Sequence, residues 1–192
     1  MSERIRSFIA IELTDERLLG RLTELQQILL NTGADLKLVE RENLHFTLRF
    51  LGELPPTTIQ AVTAEMESLT FKPFSIHLYG VGAFPNPRHI NVVWVGVHEG
   101  AEEVRMLFNQ IEPRLRRLGL PPDHKGFSPH LTIGRVKTGR NRERLAEAVE
   151  KLKDYEVGAM RSGPLKLKKS VLTPKGPIYS TLYQIAPREQ NV

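Results

Sequence analysis

His45 and Thr47 in the run HFTLRFLGE (45–53), and His130 and Thr132 in HLTIGR (130–135), repeat one pattern: an imidazole and a hydroxyl two positions apart. In extended chain, residues i and i+2 point to the same side. Each pair would therefore share a face, with Phe46, Leu48 and Phe50 opposite the first pair and Leu131 and Ile133 opposite the second. Two such strands side by side in a concave sheet would present two imidazoles and two hydroxyls to one cleft, a set suited to a phosphate ester. A neutral imidazole can take a proton from water, and a protonated one can give a proton to the leaving oxygen. The hydroxyls can donate hydrogen bonds to the non-bridging oxygens, whose charge rises in the transition state.

A single His-x-Thr is a weak signal; two copies, each inside an alternating apolar run, are much harder to obtain by accident. The competing reading is that each imidazole is a satisfied core group bonded to its own threonine. A metal centre needs a third ligand and usually a nearby carboxylate. Neither strand carries an acid on its histidine side, and Glu42 and Glu53 fall in flanking loops, so no metal and no cofactor are expected. The chain has no Gly-x-Ser-x-Gly elbow, no Gly-rich phosphate loop and no dinucleotide fingerprint. It also has no cysteine, which excludes a thiol nucleophile, disulfides and thiolate metal sites.

The elements that must position these residues follow from hydrophobic period. SFIAIEL (7–13) reads as a first strand. A helix follows, with Thr14 as its expected N-cap, Leu18, Leu22, Leu25 and Leu29 on one face, and Gly33 as its stop. LKLV (36–39) is a short extended piece, and the first His strand spans about 44–51. Pro55 and Pro56 open a helix over 57–69. Residues 74–84 and 89–97 read as a strand pair around the turn PNPR. In the second half, a helix over 101–118 presents Val104, Leu107, Phe108, Ile111, Leu115 and Leu118 on one face. The loop GLPPDHKGFSP leads to the second His strand, 129–137, then to a charged helix over 141–155 and strands near 164–173 and 178–186. This is an α+β chain with mostly antiparallel sheet. The histidines lie 85 positions apart, a little under half of 192 residues, as expected for two lobes about an approximate twofold axis.

Composition bounds the rest. With 192 residues and 40% hydrophobic content, one domain over 1–192 with a real core is expected. The first apolar run is too short for a signal peptide, and no run is long enough for a membrane span, so a cytoplasmic protein with no membrane partner is expected. Residues 1–96 carry 9 Lys/Arg against 11 Asp/Glu, and residues 97–192 carry 18 against 11. The second half thus offers a positive field to an anionic partner such as RNA.

HFTL and HLTI resemble the paired His-x-Thr-x motifs of the two-histidine phosphoesterases. With FIAIEL, HFTLRFLGE and FSPHLTIGR, the chain resembles the LigT-type RNA 2′,3′-cyclic phosphodiesterases, also called 2′–5′ RNA ligases, over essentially its whole length. The resemblance implies a bilobal fold with both motifs facing one central cleft, no metal, and hydrolysis of a terminal 2′,3′-cyclic phosphate to a 2′-phosphomonoester. It implies that His45 is the proton donor to the 3′ oxygen and His130 the proton acceptor from water, with Thr47 and Thr132 on the phosphate oxygens. The substrate would be RNA with a cyclic phosphate end or a small cyclic nucleotide. DNA, lacking the 2′ oxygen, could not serve, and the protein would act as a monomer. Joining a cyclic phosphate end to a 5′-hydroxyl in the same cleft, or RNA binding without catalysis, are the alternatives.

Arg135 sits where that family often has a phosphate-facing arginine, yet simple alternation from His130 puts it on the opposite face unless Gly134 permits a bulge. Phe127 and Phe8 are candidates to stack on a base or to anchor the core. Lys166, Lys168 and Lys169 with Arg140, Arg142 and Arg144 could line an RNA approach, though a solvated surface suits most of them. Trp94 belongs to the core by preference. His77 reads as a partly exposed sheet residue, and His89, His98 and His124 as solvated.

Overall fold

In the computed structural model, which describes residues 3–123 and 127–189, each motif opens a β-strand. These are β3 (His45–Leu54) and β6 (His130–Val136). Before β3 come β1 (Ile5–Glu12), α1 (Glu16–Leu30) and the short β2 (Leu36–Leu38). After it come α2 (Pro56–Glu67), β4 (Ser75–Asn86), β5 (His89–Val97) and α3 (Ala101–Arg117). The chain continues from β6 through α4 (Arg142–Lys151), β7 (Glu156–Arg161), β8 (Leu165–Thr173) and β9 (Gly176–Ile185). None of the described helices is long and apolar enough to cross a membrane.

The fold is α+β, with two antiparallel sheets ordered β3-β1-β8-β9 and β2-β6-β5-β4-β7. Read outward from each His strand, they correspond: β3-β1-β8-β9 matches β6-β5-β4-β7, with β2 added beyond β6. The lobes are therefore not the two halves of the sequence. β8 and β9 come from the second half but complete the sheet of His45, whereas β4 and β5 from the first half complete that of His130. The helices cross over in the same way. α2 and α3 pack behind the first sheet, α1 and α4 behind the second, and β3 touches β6 where the lobes meet. Helices cover one face of each sheet, and the apolar alternation of the strands is buried against them, with Ile9, Ile11, Leu131, Ile133, Leu165 and Leu167 each at 0% exposure.

Local chemistry explains the departures from expectation. Asp15, not Thr14, caps α1: its carboxylate accepts from the Arg17 and Leu18 amides at 3.0 and 3.1 Å. The charged helix expected to reach 155 stops at Lys151, and residues 156–161 instead form β7 on the edge of the second sheet. Val157 and Met160 of that strand join the core.

Candidate active site

Strand irregularities decide which side chains reach the cleft. Across the β1–β3 ladder, Ala10 faces Thr47 and Ile9 faces Arg49, which leaves Leu48 as an extra residue. Across β5–β6, Trp94 faces Thr132 and Val93 faces Gly134, which leaves Ile133 extra. Both bulges thus fall on the residue after the motif threonine, and a bulge reverses the alternation beyond it. Arg135 therefore comes back to the histidine side of β6, resolving the conflict that simple alternation raised. The same reversal corrects the expectation for Phe50: Phe46 and Leu48 are each 2% exposed in the core, but Phe50 emerges on the His45 side at 59%.

Each bulge is pinned by a buried polar group. On β6, the Ile133 carbonyl accepts from the Val39 amide at 3.0 Å and from Gln26 Nε2 of α1 at 2.9 Å. Gln26 also donates to the Val39 carbonyl at 2.8 Å. On β3, Arg49 turns inward to pair with Glu112 at 2.7 Å and donates to the Phe50 carbonyl at 2.7 Å and to the Pro121 carbonyl.

The two imidazoles are held alike. His45 Nδ1 lies 2.6 Å from the Asn43 carbonyl, and His130 Nδ1 lies 2.7 Å from the Ser128 carbonyl. A carbonyl only accepts, so Nδ1 carries the proton in both rings and Nε2 is left to accept or donate. Neither ring uses its threonine as partner for Nδ1, contrary to the reading that makes them ordinary core groups. Burial holds both imidazoles below the usual histidine range, against the pull of those carbonyl bonds. The Arg135 cation pushes both down as well, so its charge reaches the two histidines at once.

Their surroundings differ. Directly across the ladder from His45 is Glu12, whose carboxylate is bridged by Lys166 and Lys168. Burial would raise Glu12, but the two lysines hold it below the ordinary carboxylate range. Lys168 is 7% exposed and also donates to Thr181 Oγ1 at 3.1 Å, so it is a built part of the cleft and not solvated surface. Phe8 and Tyr179 flank the His45 ring at 4.9 and 5.4 Å. A cavity beside it is lined by Phe8, Glu12, Asn43, Lys168, Pro177 and Tyr179. On the other lobe Trp94, expected in the core, lies on the cleft face: its indole is 6.3 Å from His130 and 5.2 Å from Phe84. That indole lies flat over Gly82, where an added Cβ would come within 2.2 Å of it. Phe84 meets His130 edge-on at 5.0 Å.

Thr47 and Thr132 stand half-buried on the same faces as their histidines. Phe8 is 3% exposed and packs on His45, while Phe127 is stacked on Phe108 of α3 at 4.6 Å. Lys169 points to Glu3 at 3.7 Å, away from Lys166 and Lys168. His77 pairs with Glu156 at 2.6 Å, and His124 lies outside the described residues. Of the groups around His45, Glu12 and Tyr179 go unnamed in the sequence reading, and Lys168 enters it only among the basic residues that could line an RNA approach. The alternation of Lys166 and Lys168 with Leu165 and Leu167 was the available signal, since it sets both lysines on one face.

A family model described as LigT like Phosphoesterase matches the chain twice in succession, over residues 12–94 and 95–179. The chain is 40% identical over 168 residues to the RNA 2′,3′-cyclic phosphodiesterase of Aeropyrum pernix, covering 88% of this chain and 96% of that protein. It is 41% identical over 181 residues to the protein of the same name from Archaeoglobus fulgidus, covering 93% and 98%. Among solved structures, a protein of Thermus thermophilus superimposes with a TM-score of 0.82 at 27% identity, covering 97% of this chain and all of that one (100%). E. coli LigT complexed with 3′-AMP shares the fold, with a TM-score of 0.78 at 22% identity and coverage of 97% and 100%.

Proposed function

This chain belongs to the LigT-like phosphoesterase family, and on that premise we propose that it hydrolyses RNA 2′,3′-cyclic phosphate ends to 2′-phosphomonoesters, using His45 and His130 and no metal. The names of its relatives support the reaction. The observation that carries the histidine mechanism is the matched tethering of the two rings: each gives its Nδ1 proton to a backbone carbonyl two residues upstream and leaves Nε2 for chemistry. In this reading His130 Nε2 takes a proton as water oxygen attacks phosphorus. The bond from phosphorus to the 3′ oxygen breaks, and His45 Nε2 delivers its proton there. Thr47, Thr132 and Arg135 hold the non-bridging oxygens, where donors aimed at developing charge act most strongly. The two proton transfers ask for nothing beyond two imidazoles in opposite protonation states, which is the ground for proposing metal independence. We read residues 1–192 as one bilobal unit acting on this reaction.

The test is incubation of an oligoribonucleotide ending in a 2′,3′-cyclic phosphate with excess chelator. The 2′-monophosphate alone is expected, with rates about 10²–10⁴-fold lower for His45→Ala and for His130→Ala. Formation of the 3′ isomer, arrest by the chelator, or wild-type rates in either variant would overturn it. Adding a 5′-hydroxyl RNA to the same mixture separates hydrolysis from joining.

A further inference from the structure

We propose that Phe50 is the residue on which the terminal base of the substrate stacks. This rests on the cyclic phosphodiesterase reading above and adds the group that holds the nucleoside. Alternation from His45 would bury Phe50 and expose Arg49. The extra residue at Leu48 does the reverse, sealing a guanidinium in the interior at 8% exposure and leaving a phenyl ring 59% exposed. Leaving a phenyl ring in water forgoes the gain that burying it would bring. A buried charge beside an exposed large apolar group is the informative departure from ordinary packing.

The exposed ring is fixed in place. Phe50 stands directly across the ladder from Phe8, and their rings are 6.1 Å apart and tilted by 43°. Phe8 is itself 4.9 Å from the His45 imidazole. These two contacts hold Phe50 within a nucleoside's length of the proton donor. The neighbouring rings are already engaged. Phe8 is buried, Tyr179 is set edge-on to it at 4.9 Å, and Phe127 lies against Phe108. Phe84 and Trp94 lean on each other beside His130. Phe50 keeps a face open to solvent. It also occupies the position, three residues past the motif threonine, that Arg135 occupies on the other lobe. The same bulge therefore delivers a cation for the phosphate from one side and a flat apolar ring for the base from the other. Every base has a π-face, so such a contact tolerates all four and favours purines by area.

The test compares adenosine 2′,3′-cyclic phosphate with a base-less ribose 2′,3′-cyclic phosphate. In the wild-type protein kcat/KM is expected to favour the adenosine substrate. That ratio is expected to fall about tenfold or more in Phe50→Ala and Phe50→Leu, through KM. It is expected to be retained in Phe50→Tyr and Phe50→Trp. Phe50→Leu keeps an apolar group of similar volume, so its loss of the ratio separates stacking from packing. An unchanged ratio in Phe50→Leu overturns the proposal. Turnover of the base-less compound by the wild-type protein upholds the phosphodiesterase reading whatever Phe50 does. Equilibrium binding of adenosine 2′-monophosphate, which needs no turnover, tests stacking independently: equal affinity in wild type and Phe50→Ala overturns it.

Discussion

At the scale of single residues, the two imidazoles are alike in tether and unlike in surroundings, and both features can be read by titration. In the proposed mechanism the productive form has one ring protonated and one neutral. Because burial and Arg135 lower both, the maximum of kcat/KM, which reports the free enzyme, is expected on the acid side of the ordinary histidine value of 6.5. Removing a cation that depresses both groups must raise both, so Arg135→Gln is expected to move the whole bell toward higher pH while raising KM. A pH profile of that variant superimposable on the wild type would remove Arg135 from the cleft. The donor role proposed for His45 has its own check. In a nitrophenyl ester of a 2′-nucleotide the leaving nitrophenolate needs no proton, so this substrate should restore much of the rate lost in His45→Ala and little of that lost in His130→Ala. Equal rescue of both would show the roles misassigned. The histidines and threonines were legible from period alone, because alternation is intact from His45 to Thr47 and from His130 to Thr132. It fails at the next residue in each strand. Gly134 gives a hint of this on β6; nothing about Leu48 gives one on β3.

At the scale of elements, the bulges are what turn two ordinary strands into a site. The β6 bulge depends on α1, through Gln26. Replacing Gln26 by Leu leaves the Val39 carbonyl without this donor and strips one of two donors from Ile133, an expected loss of about 1–3 kcal/mol in a denaturant titration. Since Arg135 lies two residues beyond that carbonyl, the same variant is expected to weaken substrate binding as a mild form of Arg135→Gln. A stability loss with wild-type KM would confine Gln26 to the core. Gln26 was invisible as a site-supporting residue because its partner lies 107 positions away. Trp94 escaped for a related reason. Its place on the open face depends on Gly82 of β4 lying beneath the indole, a pairing that no local pattern reveals. The charged helix is read past its end at Lys151 because the helical period continues to 155 without a visible stop, and the short strand that follows it, β7, has no reading in the sequence.

At the scale of the whole molecule, each sheet draws strands from both halves of the chain. Residues 1–98 alone would lack β8 and β9 for one sheet and β6 and β7 for the other. That fragment is expected to be unfolded by circular dichroism, and to recover structure and activity only when produced together with residues 99–192. A folded, monomeric fragment would contradict the exchange. The intact protein should for the same reason unfold in one transition seen equally by fluorescence of the sole tryptophan and by ellipticity. The exchange also bears on how such a chain could arise. A half-length ancestor with one motif would have completed its sheet only by trading strands with a second copy of itself. In such a pair every change beside one histidine is copied beside the other, so donor and acceptor stay chemically identical. Fusion into one chain lifts that restriction. The lysine-bridged carboxylate beside His45 and the indole beside His130 are differences that a pair of identical copies could not carry.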